Sequence, residues 1–569
     1  MSEFVPPTRN LFLGKVDEEL SYPYPQQAPD DKEIADMTVE AFREWAADNL
    51  DAEQIDKAHE IPETMRRQLG ELGMLGVTVP EEYGGGGFGA TSYCRLVEEM
   101  TRSDGSLAVF LGAHLSIGAK PLLLFGNDEQ KARYLPKVAT GETLCAFALT
   151  EPGSGSDAQS MRTVAIWDEA EGVYKLNGNK IWITNGAYAG LFSVFAKARG
   201  GPKEGPVALL VERGQEGFTN GPPENKLGIR GTATTELAFQ DVRVKPENIL
   251  GEIGDGFNMA LDTLDTGRLS LGAGCTGGSK GLLQLAVEHA RERKQFRKAI
   301  IDFGMVREKL GRMASHIYAS ESMTYMTSML MDCHGASMPV EAGYCKVLGS
   351  ETLWNTVNDA IQIAGGIGYM EEYPYQRHLR DSRINLIFEG TNEILRLAGT
   401  LEALKVPARR VNEMIKLEKA QLGAEGVKEA LGSEGGLNKA QMPSFIPEQL
   451  SREGRVFAEA VKAFELKTVE VLRKYKRRIL AQQYTLRRLA DAAIQSYAMM
   501  VGLSRASSKI AELGAERAAS DILLVRRFVE ESARRVHHEL ATIDTLRDEF
   551  DDRISEMLKE EGRYPVRLF

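Results

Sequence analysis

The sequence predicts an α+β fold in which a β domain is set between helical domains, with an additional helical domain towards the C-terminal end. Three observations predict it. Apolar residues recur at helical spacing on both sides of residues 144–258, the spacing inside those limits turns strand-like, and no proline falls between Pro447 and Pro565. The chain of 569 residues is too long for one core, and a prior of roughly 150 residues per domain suggests about three or four.

Residues 33–143 read as an N-terminal helical domain, from the periodicity of Ala41-Phe-Arg-Glu-Trp-Ala-Ala47 and of Glu63-Thr-Met-Arg-Arg-Gln-Leu-Gly-Glu-Leu-Gly-Met-Leu75. Tyr83-Gly-Gly-Gly-Gly-Phe88 reads as a flexible turn, since no Gly-Lys-Ser/Thr follows to make a phosphate cradle. In residues 144–258, Val173 to Thr184 alternates across Asn177-Gly178, a strong hairpin signal, and Val207–Val211 and Glu236–Val242 continue the strand pattern. Residues 259–400 return to helix. A Lys/Glu/Gly/Ala-rich linker covers 401–446, and 447–569 form the additional helical domain.

A hydrophobic content of 43% with 26% charged residues is that of a globular chain, and the net charge of -12 argues against a whole-protein field that gathers nucleic acid. Five scattered cysteines without metal-like spacing suit reduced thiols. The first residues lack a basic region followed by an apolar run, and no spanning apolar stretch is read. The expected location is cytoplasmic for a bacterial protein.

Chemistry is suggested by Leu386-Ile-Phe-Glu-Gly-Thr-Asn-Glu-Ile-Leu-Arg396, where Glu389 sits beside Gly390 in an apolar approach. A desolvated carboxylate resists ionisation, which moves its pKa towards that of a base working near neutrality; the alternative is a solvated surface turn. Ala148-Leu-Thr-Glu-Pro-Gly-Ser-Gly-Ser-Asp157 offers small residues whose amides can approach a ligand, or an ordinary turn. Gln362-Ile-Ala-Gly-Gly-Ile-Gly-Tyr-Met370, trailed by Glu372, Arg377 and Asp381, is not a dinucleotide fingerprint, because no strand precedes it.

Taken in order, these motifs resemble those of the acyl-CoA dehydrogenase family over about residues 35–400. Glu448-Gln-Leu-Ser451 and the stretch from Gln483 to Ser507 resemble the extra domain of its very-long-chain branch. The resemblance implies a middle antiparallel β domain, a C-terminal four-helix bundle, FAD as cofactor, and dehydrogenation of long-chain acyl-CoA to trans-2-enoyl-CoA. Glu389 matches the base that takes the α-proton, while the β-hydrogen leaves as hydride to flavin N5. Flavin contacts are implied from Phe147, Ala148, Leu149, Thr150, Gly155 and Ser156, from Trp182, Ile183 and Thr184, and from Thr391, Asn392 and Glu393. A second subunit of a homodimer would add Arg293, Gln362, Gly365 and Gly366. Ser156, Asp265, Arg268, Phe388 and Gly390 match positions that hold acyl-CoA, and Arg268 has a second reading as a structural ion pair.

Ala108 and Gly112 fall at i, i+4 within Ser106–His114, where small residues serve either to line the acyl tunnel and leave depth for a long chain or to let helices pack closely. Phe303-Gly304 departs from a polar pair of shorter-chain members, as the very-long-chain branch does. Electron-transferring flavoprotein is the implied acceptor. Val411–Lys419 reads as an amphipathic segment for peripheral membrane contact, and Arg473–Arg478 with Arg487-Arg488 as a basic stretch for anionic lipid or nucleic acid, or else a solvated helix face. A respiratory-complex assembly scaffold and an oxygen-using oxidase stand as alternatives.

Overall fold

Residues 5–419 and 441–566 are described in the computed structural model, and the chain divides into two units. One is Pro25–Ile394; the other joins Met1–Tyr24 to Leu395–Phe569. The N-terminal residues, which sequence spacing assigned to no domain, thus belong with the C-terminal helices, as in the packing of the Phe12 and Phe464 rings at 4.6 Å.

In the larger unit, Ala90–Ser103 is helical because Tyr93, Leu96, Val97 and Met100 put one apolar face into the core. Asp104 then caps the next helix, Gly105–Gly112, its Oδ1 accepting Leu107 N–H at 2.8 Å. Ala113–Gly118 continues as a π-helical turn. The Tyr83–Phe88 loop is not the flexible turn expected: amides of Gly85, Gly86, Gly87 and Phe88 bond carbonyls of Pro80, Gly76, Val79 and Val77. A Cβ at Gly85 would stand 2.1 Å from the Val79 carbonyl oxygen, so close backbone packing explains the glycine. Contrary to the reading of no spanning stretch, Gly105–Phe125 is long and apolar enough, with a mean hydropathy of 1.6. Two-thirds of that window (67%) is buried inside the protein, as in a core helix, and Ser106, His114 and Ser116 interrupt the run by sequence.

The β domain is an eight-stranded sheet: β1 (Cys145–Ala148), β2 (Val164–Asp168), β3 (Val173–Ile183), β4 (Leu191–Arg199), β5 (Gly205–Glu212), β6 (Phe218–Asn220), β7 (Thr235–Val244) and β8 (Ile249–Leu250). Its order is β6-β7-β3-β2-β4-β5-β8, with β1 also on β4. The sheet is mostly antiparallel, as expected, though not purely so, because β1 and β2 both pair with β4 in parallel. β4 is buried on both faces along Leu191–Ala196, so it reads as a continuous apolar run and gives no alternation from which to infer direction. Nor is Asn177-Gly178 a hairpin. It lies inside the single strand β3, where the register with β7 shifts between Leu176 and Gly178 and Gly178 takes a φ of 147°. Asn-Gly supplies a β-bulge here instead of a turn, and a Cβ at Gly178 would meet Thr163 Oγ1 at 2.5 Å.

Three long helices follow, Gly256–Glu292, Gly304–His334 and Pro339–Ala364, joined by the shorter Tyr375–Ser382. The first carries glycines where backbones meet; a Cβ at Gly277 would stand 1.9 Å from the Glu98 carbonyl oxygen.

The second unit contains the helices Ser451–Tyr475, Gln483–Leu513, Ala519–Ala541 and Leu546–Glu561. Lys405–Lys419 is helical, but Val411 and Met414 on its apolar face are buried within this unit, so that face is not free for a membrane. Residues 420–440 of the linker lie outside the described residues. Much of the basic stretch is neutralised: Arg473 pairs with Glu418, Lys474 with Asp544, Arg487 with Asp491 and Arg488 with Asp548.

Candidate active site

Glu389 occupies a left-handed backbone position with φ 59°, followed by Gly390 at φ 91°. That conformation costs a non-glycine residue roughly 1–3 kcal/mol and persists only where surroundings hold it. Two cations do so, the half-buried Arg268 and the buried Lys346. Arg268 Nε donates to the Glu389 carbonyl at 3.1 Å, and Lys346 Nζ donates to the Gly390 carbonyl and Asn392 Oδ1, each at 2.8 Å. Asn392 in turn reaches Ser350 Oγ at 3.0 Å. Arg268 is also ion-paired with Asp265 at 2.9 Å, which gives it the structural pairing anticipated as one of its two readings.

The carboxyl group itself is left alone. Glu389 Oε2 is buried and has no hydrogen-bond partner. It lies against the Gly256–Glu292 helix where Gly267 has no side chain; a Cβ there would stand 2.9 Å away. Burial raises its pKa to about 7, although the Arg268 and Lys346 charges pull the other way.

Glu389 closes one end of an elongated cavity with a void, open mouth included, of ≈ 870 Å³. Ala108 and Gly112 line it as expected, with Gly105, Val109 and Ala113 of the same helical run. Gly267, Ser270, Gly274, Cys275 and Gly278 form the opposite wall. From Gly267 to Gly278 the helix advances ~16 Å at 1.5 Å per residue, which measures the depth beyond the carboxyl group. Thr184 and Phe388 also line it.

Of the flavin residues implied by sequence, those of 147–156 and 182–184 gather around the end of β3. A second bulge between Lys180 and Ile183 puts Trp182 at φ 55° and turns its indole outward, 65% exposed, while Ile183 is buried. Lys180 Nζ holds the Leu149 carbonyl at 2.9 Å and Glu151 at 2.8 Å, and Ile181 N–H holds the Thr150 carbonyl at 3.0 Å. Ala148 is buried and Phe147 packs on Phe195, ring centroids 4.8 Å apart, so both present backbone to a ligand more than side chain. Beyond them the 153–156 loop stands clear: a Cβ at Gly153 or Gly155 would meet nothing within 4 Å, and Ser156 is exposed. An open glycine cradle and an exposed indole, joined through Thr184 to the Glu389 cavity, fit a flavin. Thr391 is half-buried beside the Glu389 turn and Glu393 is exposed.

Arg293, Gln362, Gly365 and Gly366 are not brought to this cavity. All four are exposed. Arg293 follows the end of the Gly256–Glu292 helix, ~39 Å of helix beyond Gly267. Sequence reasoning missed Lys346, whose position in an apolar helix gave no signal, and the polar cavity wall formed by His378, Asp381, Ser382 and Asn385.

The chain belongs to the acyl-CoA dehydrogenase family. Family models for the N-terminal, middle and C-terminal domains of acyl-CoA dehydrogenase match residues 32–142, 146–242 and 254–400, and the ACAD9/ACADV C-terminal domain matches 448–562. It is an FAD-dependent oxidoreductase of that family, carrying out acyl-CoA dehydrogenation. More particularly, it is similar to the mitochondrial very long-chain specific acyl-CoA dehydrogenase of Bos taurus, 40% identical over 553 residues, covering 94% of this chain and 83% of the relative. The Homo sapiens enzyme of the same description is 40% identical over 550 residues, covering 94% and 84%. Among solved structures, an acyl-CoA dehydrogenase complexed with FAD from Bacillus anthracis superposes with a TM-score of 0.82 at 33% identity, covering 98% of this chain and 96% of that one. Butyryl-CoA dehydrogenase from Megasphaera elsdenii gives 0.63 at 36% identity, covering 67% of this chain and 99% of its own.

Proposed function

We propose that this chain desaturates long-chain acyl-CoA between Cα and Cβ, with Glu389 as the base. The observation that carries this is the lone Glu389 Oε2, buried without a partner at the head of a deep cavity. A carboxylate with no competing hydrogen bond and a pKa near 7 can take a proton from a carbon acid at neutral pH. Arg268 and Lys346 hold the turn that presents it, and Phe388 and Thr184 line the same cavity. The Glu389 backbone amide is the family's donor to the thioester carbonyl, which acidifies the α-proton in the manner of an oxyanion hole. Bound FAD, held by residues 147–156, 182–184 and 391–393, supplies the acceptor for the β-hydrogen as hydride.

Small residues along both long walls support a long acyl chain. The distance of Arg293 and Gln362–Gly366 from the cavity supports a homodimer in which each subunit completes its partner's flavin site. Electron-transferring flavoprotein is the proposed acceptor. Anaerobic titration of the yellow protein with palmitoyl-CoA should bleach the flavin; no bleaching with any acyl-CoA would sink the proposal, and a turnover series peaking below C8 would sink its chain-length part.

A further inference from the structure

The acyl cavity is not uniformly apolar, and apart from Glu389 and Thr184 its polar side chains fall into two kinds. The hydroxyls of Thr101, Ser116, Ser270 and Ser382 each donate to a carbonyl three or four residues back in their own helix, at 2.8, 2.6, 3.0 and 2.9 Å. Turned in this way, they offer the cavity their carbon atoms. Asp381 is held too, its Oδ1 accepting Ile229 N–H at 2.5 Å.

His378 and Asn385 differ. Both line the cavity, and neither side chain hydrogen-bonds another described residue. They stand seven residues apart on the wall made by Tyr375–Ser382 and the 3₁₀ turn Arg383–Leu386, two turns of one face. Asn385 is four residues from Glu389 and His378 is eleven, and both line the same cavity as Gly278 and Leu353. Burial, with the Arg377 charge adding to it, lowers the His378 pKa to about 4, so the ring is neutral at physiological pH and carries one donor and one acceptor. The Asn385 amide also carries both. A saturated tail passing these groups would leave them without partners, which is costly in a dry site. A tail bearing an oxygen at their depth would satisfy them.

We propose that His378 and Asn385 form a polar subsite in the acyl tunnel that selects long-chain acyl-CoA carrying a hydroxyl or oxo group along its tail. The subsite rests on the reading of the cavity as an acyl tunnel and extends it to a substrate class. A pocket built to hydrogen-bond a substrate hydroxyl discriminates strongly against the analogue lacking it.

The test measures kcat/KM of the flavin-loaded protein for palmitoyl-CoA and for palmitoyl-CoA hydroxylated at mid-chain or at the terminal carbon. The wild type should favour at least one hydroxylated substrate. In His378→Leu and Asn385→Leu the ratio of hydroxylated to plain substrate should fall about tenfold each, with plain palmitoyl-CoA turned over faster. Dissociation constants of the corresponding enoyl-CoA products should shift in the same direction, which reads the subsite even in a variant with poor turnover. Equal ratios in wild type and both variants overturn the subsite while leaving the dehydrogenase reading intact. Turnover of no acyl-CoA overturns the reading beneath it.

Discussion

Two buried glutamates, one in the β domain and one beside the helical bundle, show how the same side chain is put to opposite uses. Glu151 is satisfied on every side: Lys180 Nζ at 2.8 Å, Arg162 N–H at 2.6 Å and Thr163 N–H at 3.0 Å. Burial works against its charge, but these donors outweigh it and take the pKa down to about 2. The Glu389 carboxyl is buried with two cations nearby, yet Arg268 spends its hydrogen bonds on the Glu389 carbonyl and the Asp265 carboxylate, Lys346 spends its own on the Gly390 carbonyl and Asn392 Oδ1, and the Glu389 carboxyl is left free. Its pKa goes up to about 7. Burial alone does not single out a candidate base; a buried carboxyl oxygen left without a partner and lining a cavity does.

The contrast can be broken most forcefully at Glu389. Glu389→Gln keeps the shape and removes the base, so turnover should fall by about 10² to 10⁴-fold or more while FAD and acyl-CoA stay bound. Stopped-flow flavin reduction and binding titrations check this, and loss of flavin would show instead that Glu389 is structural. At the other glutamate the effect should be on stability. Lys180→Met leaves a buried carboxylate unpaired, with an expected loss of about 3–5 kcal/mol in denaturant unfolding. Little loss would mean that the two amides suffice to hold Glu151.

The third test uses pH and is the smallest. Glu389 has a folded pKa above its unfolded value of 4.5, so its ionisation weakens the fold progressively between about 4.5 and 7 and fully above. Glu389→Gln should therefore raise the Tm at pH 8, by up to about 3 kcal/mol in stability, and leave it unchanged at pH 4. Glu151 has the opposite sign. Its folded pKa lies below the unfolded one, so its contribution is present above about 4.5 and is lost as the pH falls through about 2. A Glu389→Gln protein no more stable at pH 8 than at pH 4, relative to wild type, would contradict the raised pKa.

Several features were legible in residue order because they depend on neighbours along the chain. The strands around Val207–Val211 and Glu236–Val242, the helical periodicity on either side and the apolar approach to Glu389 are local patterns, and they appear as β5, β7, the long helices and the site loop. Asn177-Gly178 shows where local signal fails. The same dipeptide serves a turn or a bulge, and pairing with β7, more than sixty residues away, selected the bulge. The parallel pairings of β4 were hidden for the same reason.

By itself the sequence determined the order of helical and β regions and put Glu389 forward as the candidate base, since spacing, residue type and the resemblance of its motifs carry those. Only the tertiary structure decided that Glu389 Oε2 lacks a partner, that Lys346 braces its turn, and that His378 and Asn385 face the cavity unbonded. Each of these depends on which atoms lie within a few ångströms after folding. Hydrogen-bond satisfaction and desolvation are sums over such neighbours, and residues far apart in the chain supply them.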